Sequence, residues 1–181
     1  MTHSSRFSTK GLVKFKGVKP ISLLNTFLSY DQNFEIFSKS EDEKFYKLKN
    51  NKSGVIIDFN VEEIHESIQE NFEKMRSLLV KQYCRKRLEF NFLEFSNLIK
   101  CVVGISASLG LLKVAYIAHI FKEKFSEKII SSENLEEETI QFLSNSYNYL
   151  TTAFIGAVSK KFPFSEKENY VNLERIKNFK L

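Results

Sequence analysis

The chain's stock of metal ligands and nucleophiles is small: three histidines, His3, His65 and His119, and two cysteines, Cys84 and Cys101. The histidines are scattered and the cysteines form no Cys-x-x-Cys pair, so the ligand spacing of a zinc site and the dithiol of a redox site are both missing. The sequence holds no G-x-x-x-x-G-K-[ST] phosphate loop, no G-x-G-x-x-G dinucleotide turn and no G-x-S-x-G nucleophile elbow. Glu62, Glu63 and Glu66 do cluster, yet they sit at a predicted helix start, where the backbone dipole stabilises acids without any catalytic role. The residues point to a chain that is not an enzyme and takes no metal or cofactor.

The stretch from Ile99 to Gly110 is more informative. At helical spacing Phe95, Leu98, Ile99, Val102, Ile105 and Leu109 share one face, and Asn97, Lys100, Gly104, Ala107 and Ser108 lie opposite. That second face is a lysine on a bed of small residues. A glycine in an exposed helix interior costs about 1 kcal/mol relative to alanine, so Gly104 asks for a reason.

This spacing resembles the phosphotransfer helix of histidine-containing phosphotransfer (Hpt) domains, whose signature is His-x-x-Lys-Gly followed by small residues and a closing Gly. Gly104 and Gly110 fit that signature, while Lys100 stands where the phospho-accepting His would be and Val103 where the phosphoryl-binding Lys would be. The resemblance runs from about Phe92 to about Ala157 and is closest to the N-terminal domain of chemotaxis histidine kinases of the CheA type. Those kinases carry a His after the closing Gly, as His119 is here, and then a Glu that hydrogen-bonds the reactive His; Lys122 replaces that Glu. The resemblance implies a degenerate, pseudo-phosphotransfer domain in two-component or chemotaxis signalling. It further implies a protein partner, a response-regulator receiver or a histidine kinase, met by Asn97, Lys100, Val103, Gly104, Ala107, Ser108 and Lys122.

His119 has a second reading, because His119-Ile120-Phe121-Lys122 repeats the His-x-x-Lys spacing. The next residue is Glu123, however, and a bulky acid there opposes a phosphoryl donor, so His119 reads as an ordinary surface or partly buried histidine. Lys100, Lys113, Lys122 and Lys124 either form a basic surface, with Lys81, Arg85, Lys86 and Arg87 as a second cluster, or simply solvate the bundle. A receiver's acidic pocket is one partner for such charge. Nucleic acid is another, but no helix-turn-helix, zinc or RNA-binding aromatic motif accompanies the charges.

At 181 residues, with 43% hydrophobic composition and 18 Phe, the chain has enough apolar side chains for one domain with an extension or two small ones. A net charge of +5 is a weak pointer to an anionic partner. The two unpaired cysteines suggest a reducing cytoplasm, Met1 to Lys19 has no signal-like apolar core, and no apolar run reaches membrane-spanning length.

The elements that must carry these residues follow from periodicity and caps. Gly11 to Lys16 alternates like a short strand, Pro20 to Tyr30 reads as a helix opened by Pro, and Phe34 to Phe37 as a second strand. Lys44 to Leu48 and Val55 to Phe59 flank a turn and read as a hairpin. A first long helix starts at the Asn60 cap and runs to about Leu88 with Ile64, Ile68, Phe72, Met75, Leu79 and Tyr83 as its stripe. Asn91 caps a second helix that Gly110 ends, and a third runs from Leu111 to about Ile130. Asn134 is expected to cap a fourth, with Leu143, Tyr147, Leu150, Phe154 and Val158 inward. The predicted fold is mainly α: a small α+β segment over 1–59, a four-helix bundle over 60–162 and a C-terminal tail over 163–181 with helical spacing. A structural or oligomerising bundle is the other reading these helices allow.

Overall fold

The computed structural model describes residues 11–84, 89–126, 132–133 and 135–181. The protein is mainly helical with a small antiparallel sheet. In chain order the described elements are α1 (Pro20–Tyr30), β1 (Phe34–Lys39), β2 (Phe45–Asn50), β3 (Ile56–Asn60), α2 (Val61–Cys84), β4 (Phe90–Asn91), α3 (Phe92–Ser108), α4 (Leu112–Ser126), β5 (Ser132–Glu133), α5 (Glu137–Val158) and α6 (Glu166–Asn178).

The segment before α1 departs from expectation. Gly11 to Lys16 forms no strand; it runs as an extended strap across α2 and α5. Its backbone groups find partners on side chains, with Asn148 Oδ1 accepting from the Val13 amide at 2.8 Å and Asn148 Nδ2 donating to the Gly11 carbonyl at 2.8 Å. Satisfied in this way, the segment needs no neighbouring strand. Burial follows suit: Leu12, Phe15 and Val18 are inside, at every third position instead of every second.

Pro20 opens α1, where its missing amide costs nothing. The sheet is a meander in the order β1–β2–β3, and Tyr46, Leu48 and Phe59 bury one of its faces. Phe27 of α1 packs on that face against Phe34 and Phe59, at ring separations of 5.4 and 5.7 Å.

The long helices obey their caps at two of three starts. Asn60 Oδ1 accepts from the Glu63 amide at 3.1 Å and Asn91 Oδ1 from the Glu94 amide at 3.0 Å. The third expectation changes: α5 begins at Glu137 behind Glu136, whose side chain makes no cap bond, and Asn134 lies outside the described residues. Glu137 and Glu138 still serve the start through the helix dipole. α2 ends at Cys84 and α4 at Ser126, so the expected continuations to Leu88 and Ile130, and the cluster members Arg85, Lys86 and Arg87, also lie outside the described residues.

α2 packs against α3 and α5, and α4 packs against α3 and α5, so each of these helices touches two of the others. α6 lies mainly on α4 and opens with a capping box in which Ser165 and Glu168 satisfy each other's backbone amides. The buried side chains make a continuous cluster from Leu12 to Ile176 that includes Leu23, Leu24 and Leu48, so the apolar core does not break at Asn60. Aromatic rings carry much of it: Phe15 stacks on Phe72 at 5.3 Å and meets Phe154 at 5.9 Å, and Phe95 meets Phe121 at 5.9 Å.

Candidate protein-interaction face

The inward side of α3 is the expected one. Phe95, Ile99, Val102 and Leu109 are buried, and Leu98 and Ile105 pack partly against them. Ser106 joins them; its hydroxyl is wholly buried and has no hydrogen-bond partner among the described residues. Leaving a buried hydroxyl unpaired costs on the order of 1–3 kcal/mol.

Outward lie Asn97, Lys100, Gly104, Ala107 and Ser108, all exposed, with Cys101 beside them. The Ser108 hydroxyl turns back and donates to the Gly104 carbonyl at 2.8 Å, which keeps it from projecting. Around Gly104 there is open space: a Cβ built there would meet no atom within 4 Å. The result is a low, smooth strip of helix backbone with one ammonium, Lys100, standing over it.

The flanks of α3 divide the remaining residues. Asn71 of α2 donates to the Leu98 carbonyl at 2.7 Å, and Asn97 and Cys101 line a shallow groove with Lys74 of that helix. On the other flank Phe92 meets Phe125 of α4 at 5.5 Å. Val103 is half-buried, and its helical position puts it on the α4 flank. Lys122 of α4 is half-buried too, and its ammonium lies 3.7 Å from the Glu123 carboxylate. The seven expected residues thus spread over three zones: Asn97 towards α2, Lys100, Gly104, Ala107 and Ser108 on the crest, Val103 and Lys122 towards the α3–α4 seam.

The expected basic surface does not hold together. Lys124 is only 7% exposed, and its ammonium donates to the Lys177 carbonyl at 2.5 Å. It therefore serves the C-terminal end of α6, where the helix dipole favours a cation, and is lost to any partner. Lys113 sits with its ammonium 5.0 Å from the centre of the Phe162 ring, bound to the segment after α5. Lys100 and the half-buried Lys122 are what is left. His119 is exposed on α4, and no group of three or more metal-ligating side chains occurs among the described residues.

Sequence reasoning passed over the residues that hold the strap. In the sequence pattern Tyr147 is one member of an apolar stripe, yet its hydroxyl donates to the Val13 carbonyl at 2.7 Å, and burial pushes the phenol up to about 12. Asn148 beside it, a poor helix former within a strong helical pattern, was the available signal.

Comparison with known proteins finds no family model that matches the chain, no curated protein that matches it and no solved structure that matches it.

Proposed function

We propose that α2 to α5 form a four-helix bundle of the Hpt type, like that of CheA chemotaxis kinases, which has lost phosphotransfer and serves as a non-catalytic interaction module. Its partner is a response-regulator receiver or a histidine kinase, docked on the exposed strip of α3. The observation that carries this reading is Gly104. Its backbone conformation is ordinary helix and a Cβ there would meet no atom of the described residues within 4 Å, so neither strain nor packing among them accounts for a glycine that costs about 1 kcal/mol there. A partner that comes close to the helix backbone does account for it.

Lys100 fits the same picture. An exposed ammonium cannot replace an imidazole as phosphoryl carrier, but it can enter an acidic pocket as a fixed cation. Val103 and Lys122 take the places of the other two members of the phosphotransfer network, and neither can do their chemistry. In this reading residues 60–162 are the module, 1–59 an accessory unit that shares its core, and α6 an added helix.

The test is a binding titration of purified receiver domains against wild type and Gly104→Phe, joined to affinity capture of signalling proteins from the source cell. Wild type should bind a receiver or kinase, and Gly104→Phe should lose that binding at unchanged helix content. Equal binding by both proteins would remove the α3 face from consideration.

A second reading, a structural or oligomerising bundle, is favoured by the outer face of the sheet. Phe37, Phe45 and Ile56 are exposed there, with Val55 exposed just before β3, and exposed apolar side chains grouped in this way suit a contact with another chain. Sedimentation of a dimer that Phe45→Glu dissociates would support it over the signalling module.

A further inference from the structure

The strap over residues 11–18 is held the way a ligand is held. Its buried residues recur at every third position, Leu12, Phe15 and Val18, while Val13 is half-buried and Lys14 and Lys16 are exposed. Phe15 is the central anchor, seated against Phe72 of α2 and Phe154 of α5. The main chain is gripped by side chains from both walls. From α5, Asn148 binds Gly11 and Val13 at once, as an amide reads a peptide, and the Tyr147 hydroxyl adds a bond to Val13. From α2, Arg76 Nε donates to the Leu12 carbonyl at 3.4 Å and His65 Nε2 lies 2.7 Å from the Val18 carbonyl.

These contacts also fix direction and charge. Leu12 lies at Arg76, Phe15 at Phe72 and Val18 at His65, so the strap runs antiparallel to α2. The same stretch of α2 also carries Glu66 and Glu73, opposite in sign to the strap's lysines, while Glu70 pairs with Lys74 at 2.8 Å. Little of this recognition depends on the covalent link. Gly17, whose φ of +81° marks a turn, lies within the strap between Phe15 and Val18, and Lys19 alone joins the strap to α1.

We propose that the groove between α2 and α5 is a peptide-recognition groove that residues 11–18 occupy in cis. Its partner class is a segment of another protein with three apolar anchors at every third position, lysines among the residues between them and a turn before the last anchor. Backbone contacts give register and affinity, the three apolar anchors give specificity, and the strap acts as a built-in competitor. This groove is distinct from the α3 face and does not rest on the function proposed for that face.

The test is fluorescence anisotropy with a labelled synthetic peptide of residues 11–19 and three full-length proteins: wild type, Leu12→Ser/Val18→Ser, and that double variant with Asn148→Ala. The double variant should bind the peptide about tenfold or more tighter than wild type, because its own strap competes less well. Asn148→Ala should remove roughly tenfold of that affinity, the worth of two hydrogen bonds. A peptide carrying Phe15→Asp should not bind. Absence of binding by a folded double variant, or binding that Asn148→Ala leaves unchanged, overturns the proposal. If the double variant does not fold, hydrogen exchange on wild type decides: excess peptide should speed exchange of the Val13 amide without affecting buried amides of α5, and an unchanged Val13 rate overturns the proposal.

Discussion

Gly104 and Gly110 stand near the same end of α3 and are glycines for opposite reasons. Gly110 is enclosed: it has a φ of +77°, and a Cβ there would lie 2.0 Å from Cγ of Tyr30. Its neighbours close the helix in a Schellman arrangement, with the Gly110 amide on the Ala107 carbonyl at 3.1 Å and the Leu111 amide on the Ser106 carbonyl at 2.8 Å. Gly104 has none of this. One glycine is demanded by the chain itself, and the other is tolerated by the fold at a cost, which is why only the second speaks of something outside the chain.

Substitutions can break this contrast or sharpen it. The largest effect is expected from Gly110→Ala, a loss of about 2–4 kcal/mol in denaturant unfolding, from left-handed strain together with overlap with the tyrosine ring. A neutral result would mean that Tyr30 moves aside freely and that this end is no more closed than the strip. Adding Tyr30→Ala to Gly110→Ala is expected to return about 1–2 kcal/mol in a double-mutant cycle, which isolates the overlap from the strain. The end of α5 has the same form without the glycine: Lys160 has a φ of +60°, its amide bonds the Ala157 carbonyl at 3.1 Å, and the Lys161 amide bonds the Gly156 carbonyl at 2.8 Å. Lys160→Gly should therefore stabilise the protein by about 1 kcal/mol, measured as a higher unfolding midpoint. Smallest is Gly104→Ala, expected to raise stability by roughly 0.5–1 kcal/mol while weakening receiver binding. A loss of stability there would show that Gly104 belongs to the fold after all.

The sequence was legible where one helix alone decides the outcome. The stripes of α2 and α5, the Asn60 and Asn91 caps, the Gly110 stop and the exposure of Asn97, Lys100, Gly104, Ala107 and Ser108 all follow from helical period and local capping chemistry. It misled where partners come from far along the chain. Leu12 to Lys16 alternates as a strand would, but a strand needs a ladder, and the bonds came from side chains of α2 and α5. Lys124 reads as a surface cation on its own helix, and only the docking of α6 buries it and supplies the Lys177 carbonyl. The Glu136 start of α5 carries no capping side chain and so left no local mark.

The strap also imposes an order in time. Val13 and its partner Asn148 are 135 positions apart, so the segment that leaves the ribosome early must wait for a wall of its groove that is made late. At about 5–20 residues per second the wait is roughly 7–27 s, during which Leu12, Phe15 and Val18 have only α2 to cover them. A chain interrupted before α5 would carry those three side chains covered from one side only, a partly exposed apolar segment of the kind that chaperones hold and proteases remove.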